Sequence, residues 1–142
     1  MSTRVLFDTD IGDDIDDAFA LALLLRLPQV TLEGVTTVHG AVKARARIAF
    51  KMLAAAGHSD VPVFAGTVGK GDPAAAPPYA SWAEDWRDAE IAEGEAARFI
   101  VSRVMQEPPG TLTILAVGPL SNVALALQQE PRLAEGLHRL VI

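Results

Sequence analysis

An open, mostly parallel α/β sheet with helices on both faces is the fold that three observations predict. Short apolar or β-branched runs alternate with longer helical patterns along the 142 residues, as expected for parallel strands joined by helical crossovers. Gly, Pro and polar residues punctuate the changes of period. Apolar residues make up 50% of the chain and charged residues 21%, which suits a folded core and argues against disorder. The length fits a single domain, and no internal repeat or low-complexity tract is evident.

Each element has a local reason. Val5-Leu6-Phe7 is an apolar run that stops at Asp8, the mark of a buried strand. Ile15 to Leu27 is rich in Ala and Leu and is stopped by Pro28, so it reads as a helix. Thr31 to Val38 is β-branched and reads as the second strand, ending at His39-Gly40. Ala41 to Ala56 carries Lys43, Arg45, Arg47 and Lys51 among Val42, Ile48, Met52 and Leu53. That is an amphipathic helix with a solvated basic face, and Gly57 is its C-terminal stop. Val61 to Ala65 is a short strand.

Residues 66–87 are irregular, with Pro73, Pro77, Pro78 and the pair Trp82 and Trp86, and read as a lid, a binding loop or a disordered segment. Asp88 to Gln106 reads as a helix with Asp88 as its cap, ending before Pro108-Pro109-Gly110. Thr111 to Val117 is a strand, and Gly118-Pro119-Leu120-Ser121-Asn122 opens a helix through Leu127. Arg139 to Ile142 is a last strand. In such sheets ligands bind beyond the carboxyl ends of the strands, where Asp8, His39, Ala65 and Val117 lie.

Composition narrows the function. The net charge of −6 argues against nucleic acid or an anionic membrane as partner. With no cysteine there is no disulfide scaffold, thiolate zinc site or cysteine nucleophile, which fits a reducing compartment. The longest apolar run, Ala18 to Leu25, is too short to span a bilayer. A cytoplasmic location is expected.

Six of the 18 acids, Asp8, Asp10, Asp13, Asp14, Asp16 and Asp17, crowd the turn between the first strand and helix. Helix capping accounts for one or two of them. Six would repel one another, and a bound cation relieves that repulsion. All the donors are oxygen, so a hard ion, Ca²⁺ or Mg²⁺, is implied. An EF-hand is excluded, because Gly12 is fifth rather than sixth in the loop and a strand precedes it. A haloacid-dehalogenase-like, magnesium-dependent phosphotransferase is an alternative, with Asp8 as nucleophile and Asp10 as acid/base, although Gly12 and the doubled Asp16-Asp17 do not suit that pattern.

The segment Asp8-Thr-Asp10-Ile-Gly12, followed by Asp16-Asp17-Ala18-Phe-Ala20-Leu, resembles the N-terminal signature of the inosine–uridine-preferring nucleoside hydrolases. Glu33 to Gly40, Val61 to Gly66 and the Gly118-Pro-Leu-Ser-Asn122 segment are similar to later parts of that family. The resemblance implies a Rossmann-like nucleoside hydrolase fold and calcium-dependent hydrolysis of the N-glycosidic bond of ribonucleosides, through a transition state with oxocarbenium character. It implies Asp10 as metal ligand and general base, Asp17 as a further ligand, and Val117 as a ligand through its backbone carbonyl. It implies Asp16 as a ribose-hydroxyl partner and Asp8 as a support behind the site. Two extra residues separate Gly12 from the Asp pair relative to the shortest family form, so Asp14 is the alternative to Asp16. Ala41 stands where the family carries Asn or Asp.

His39, at a strand end, is a candidate substrate contact, and Asn122 a supporting residue that reads as a cap or turn residue. Trp82 and Trp86 could stack on a base or build a small satellite core. A non-catalytic metal- and ribose-binding domain is the remaining alternative. The resemblance covers the N-terminal part of a single nucleoside hydrolase-like domain over 1–142. The C-terminal half is therefore expected to be missing here, and homo-oligomerisation or association with that half is expected.

Overall fold

A computed structural model of the chain describes residues 2–86, 91 and 93–142. Five strands form one sheet: β1 (Thr3–Thr9), β2 (Val30–Thr37), β3 (Val63–Ala65), β4 (Leu112–Ala116) and β5 (Leu137–Val141). Their order is β3-β2-β1-β4-β5, and every pairing is parallel. The chain winds outward from β1 through β2 to β3, then crosses back to β4 and on to β5. The order therefore reverses between β1 and β4, and the crevice at their carboxyl ends is the place where such sheets bind ligands.

Alternation along β1 separates two cores. Val5 and Phe7 point to one face and pack under α1 (Asp16–Arg26) and α2 (Val42–Ala55), with Leu21, Leu24, Ile48 and Leu53. Leu6 points to the other face, toward α3 (Ala96–Gln106) and α4 (Ser121–Gln129), with Ile100, Val104, Ile114 and Val123. The period of two in a strand makes this division unavoidable. It also makes β1 apolar on both faces, which is why its sequence is a continuous run.

The expected α/β sheet with helices on both faces is the observed fold, with shifted boundaries. Helix α3 begins at Ala96 rather than Asp88, and Asp88 itself lies outside the described residues. A four-residue helix, α5 (Leu133–Gly136), precedes β5 and was not foreseen; Leu133 buries its side chain in the second core. Inside the irregular segment a short 3-10 helix spans Ala80–Ala83. Gly57 ends α2 at φ 81°, as its position suggested. No helix among the described residues is long and apolar enough to cross a membrane.

Candidate functional site

The end of β1 distributes its side chains by the same alternation. Asp8 shares the face of Leu6 and points toward α4; Thr9 shares the face of Phe7 and points toward α1. Asp10 follows the last strand residue.

Asp8 is fully buried. In register it lies opposite Thr36 of β2, whose hydroxyl donates to Asp8 Oδ1 at 2.6 Å. Asn122 Nδ2 donates to the same oxygen at 2.8 Å. Asp8 Oδ2 has no hydrogen-bond partner among the described residues. Burial pushes this carboxyl up to about 6, with the two hydrogen bonds pulling the other way and the Asp10 charge adding to the rise.

Asn122 is not the cap of its helix. That position is Leu120, and no side chain caps it. Instead the buried Asn122 amide joins three segments. It donates to Asp8 and to the Thr37 carbonyl at 3.0 Å, and its oxygen accepts the Thr67 N–H at 2.9 Å. The fit requires Gly66, where a Cβ would stand 2.2 Å from Asn122 Oδ1 and 2.5 Å from the Thr37 carbonyl oxygen.

On the opposite face Thr9 Oγ1 donates to Asp17 Oδ2 at 2.5 Å and accepts from the Ile11 N–H at 3.1 Å. Asp17 is 8% exposed, in the first turn of α1. Its carboxyl is raised, first by burial and then by the charges of Asp10 and Asp16 and a hydrogen bond with Asp10, against the pull of Thr9. Asp10 and Asp17 are therefore neighbours. The strand-end turn after β4 closes on Asp10 from the other side. Val117 donates its N–H to the Asp8 carbonyl at 2.9 Å, and a Cβ on Gly118 would stand 2.8 Å from Asp10 N and 2.9 Å from Asp10 Oδ1. Asp10, Asp17 and the Val117–Gly118 backbone thus meet at the crevice between β1 and β4.

Asp13 and Asp14 go elsewhere, while Asp16 stays beside Asp17. Asp13 pairs with Arg45 at 2.8 Å. Asp14 lines an apolar groove of about 410 Å³ with Ile15, Ala18, Ile48, Met52 and Trp82. Asp16 is exposed at the start of α1. The expected mutual crowding of six carboxylates is thus relieved in large part by the fold itself, through Arg45, Thr36, Asn122 and separation. Among the described residues no three His, Cys, Asp or Glu side chains form a group able to hold a metal. What remains together is a pair of carboxylates beside a strand-end backbone. That hard-oxygen donor set fits a divalent cation which takes further ligands from outside these residues.

His39 sits at φ 71°, donates its N–H to the Thr67 carbonyl at 3.0 Å and has its ring against Gly71. Trp86 tilts against Phe50 at 5.2 Å, at the edge of the first core rather than in a separate satellite, whereas Trp82 is half exposed with Lys51 Nζ over its ring. The basic helix face was misread at one residue: Arg45 is 3% exposed rather than solvated. Val42 and Ala49, three residues before it and four after, are buried, and this spacing was the available signal.

The sequence model of the inosine-uridine preferring nucleoside hydrolases matches residues 5–142. The chain belongs to this family. A non-specific ribonucleoside hydrolase, RihC, of Salmonella paratyphi B is 34% identical over 161 residues, covering 99% of this chain and 48% of the relative. The probable uridine nucleosidase 1 of Oryza sativa is 31% identical, covering 98% and 45%. The inosine-uridine preferring nucleoside hydrolase from Bacillus anthracis shares the fold at a TM-score of 0.78, with 24% identity, 99% of this chain and 49% of that one. The chain spans about half the length of these relatives. Its acidic turn, with Asp10 and Asp17 at the topological switch point, lies within the matched span.

Proposed function

We propose that the protein to which these 142 residues belong hydrolyses the N-glycosidic bond of ribonucleosides, giving ribose and free base. The observation that carries the reading is the Asp10–Asp17 pair at the β1/β4 crevice of a nucleoside hydrolase fold. The relatives named as a ribonucleoside hydrolase and a uridine nucleosidase support it.

In this reading Asp10, Asp17 and the Val117 carbonyl would hold a Ca²⁺ ion through an all-oxygen donor set. Bound there, the ion would fix ribose hydroxyls and make a nearby water more acidic. Asp10 accepts the proton of the attacking water. The water oxygen bonds to C1′ as the C1′–N bond breaks; the base leaves with the bonding electrons and takes a proton from solvent, to which Asp10 returns the one it accepted. Thr9 orients Asp17 through its 2.5 Å hydrogen bond. Asp16, exposed beside the pair, receives a ribose hydroxyl, with Asp14 the alternative; His39 flanks the substrate. Asp8 and Asn122 anchor the turn from beneath. The absence of cysteine supports a cytoplasmic setting.

The phosphotransferase alternative needs Asp8 to attack phosphorus. Asp8 is fully buried and tied to Thr36 and Asn122, which does not suit a nucleophile. The test is release of free base from uridine and inosine with calcium present, measured by chromatography on the longest form of the protein its gene encodes. Base release that Asp10→Asn abolishes is expected. No base release, or magnesium-dependent phosphate release that needs Asp8, would contradict the proposal.

A further inference from the structure

We propose that Arg45 is a positioning residue for the acidic turn, holding Asp10 so that its carboxylate faces Asp17. The inference rests on reading that pair as a cation site.

Arg45 lies in the first turn of α2. A positive charge there opposes the helix dipole, so helix stability does not explain its place. Burial of the guanidinium is costly as well, and is tolerated only with full hydrogen bonding. Its donors all go to one purpose. Nε donates to the His39 carbonyl at 2.8 Å. Nη1 donates to the carbonyls of Asp10 and, at 3.2 Å, of Ile11. Nη2 donates to Asp13 at 2.8 Å.

Three of these four acceptors are backbone oxygens from the two loops that leave β1 and β2. Arg45 therefore bolts the loop of Asp10 to the loop of His39. With the Asp10 carbonyl held on the α2 side and Gly118 packed against the Asp10 amide and carboxylate, the Asp10 backbone is fixed from two directions. The same guanidinium holds the carbonyl of His39, a non-glycine residue at positive φ. It brings a positive charge beneath an acidic turn while leaving the Asp10 and Asp17 carboxylates for a ligand. A lysine would supply the charge but not the planar fork that reaches four acceptors at once.

The experiment compares the parent chain with Arg45→Lys, Arg45→Met and Asp13→Asn. Two readouts are used: backbone NMR shifts of Asp10, Ile11 and His39 without metal, and calcium affinity by calorimetry. Both Arg45 variants should move the resonances of the two loops and weaken calcium binding by about tenfold or more, as loss of a supporting partner does at metal sites. Asp13→Asn should keep the loop resonances outside its own position and hold affinity within about threefold, because Asp13 is half exposed. The proposal is overturned if folded Arg45→Lys leaves the Asp10, Ile11 and His39 resonances in place. It is equally overturned if Asp13→Asn weakens calcium as much as Arg45→Met, which would make charge rather than the fork the cause. A parent chain that binds no calcium sinks the cation reading instead, and the metal-free resonances then decide the role of Arg45 alone.

Discussion

The Asn122 side-chain amide donates to the Asp8 carboxylate at 2.8 Å although 114 residues separate them in sequence. This bond ties the start of α4 to the central strand at the point where the sheet order reverses. Asn122→Ala would strand the Thr67 N–H, and would leave Asp8 Oδ1 with Thr36 alone and the Thr37 carbonyl with the Gly66 N–H alone. A loss of about 1–3 kcal/mol in urea unfolding is expected, the range for stranding one buried donor. A loss within about 0.5 kcal/mol, as at a surface site, would show that water replaces the amide freely.

Two glycines separate stability from site geometry. Gly66→Ala drives a Cβ into Asn122 and the Thr37 backbone, so it should cost about 1–3 kcal/mol or more of stability, as overpacking does. Gly118→Ala presses on Asp10, including its carboxylate. It should weaken calcium binding by about tenfold or more, the scale of a displaced supporting group. Thermal melts and calcium titrations on both variants check this. Equal calcium affinity in Gly118→Ala and the parent would contradict the packing of the β4 turn on Asp10.

At the opposite end of the sheet Arg4 donates from Nε to Glu33 at 2.6 Å and from Nη2 to Glu107 at 2.8 Å, and Arg103 also donates to Glu33. Arg4 holds the Glu33 carboxyl below the usual range, with Arg103 adding to the effect and burial opposing it. Glu107 is lowered in the same direction by Arg4. A carboxyl depressed in the folded state contributes stability that is present above its unfolded pKa of about 4.3 and lost as pH falls through the folded value. Glu33→Gln should therefore narrow the gap between unfolding free energies at pH 6 and pH 3. An unchanged gap would show that this cluster adds nothing to the acid limb.

Most of the fold was legible because β1 and β4 carry short apolar runs buried on both faces and β2 is rich in β-branched residues. The crowded acids stand out from the turn itself, whereas the grouping of Asp10 with Asp17 and Val117 comes only from the family resemblance and not from the spacing of the acids. Which acids stay together depends on strand alternation, on Arg45 from α2 and on Asn122 from α4, all far from the turn in sequence. Arg45 looked solvated because its basic neighbours Lys43 and Arg47 frame it, and only its spacing from Val42 and Ala49 marks the inner face. Helix α3 begins at Ala96, just after Gly94, whose positive φ of 78° sets a turn that Ala- and Glu-rich sequence does not announce. The four-residue α5 has too few turns for a periodic signal.

Calcium titration by calorimetry on the longest form of the protein its gene encodes, as the parent and as Asp10→Asn and Asp17→Asn, tests the central claim most directly. One saturable binding event in the parent, lost in both variants and accompanied by a higher melting temperature in millimolar calcium, is the result predicted for a cation held at the β1/β4 crevice. No binding heat in the parent and a melting temperature that calcium leaves unchanged would contradict it.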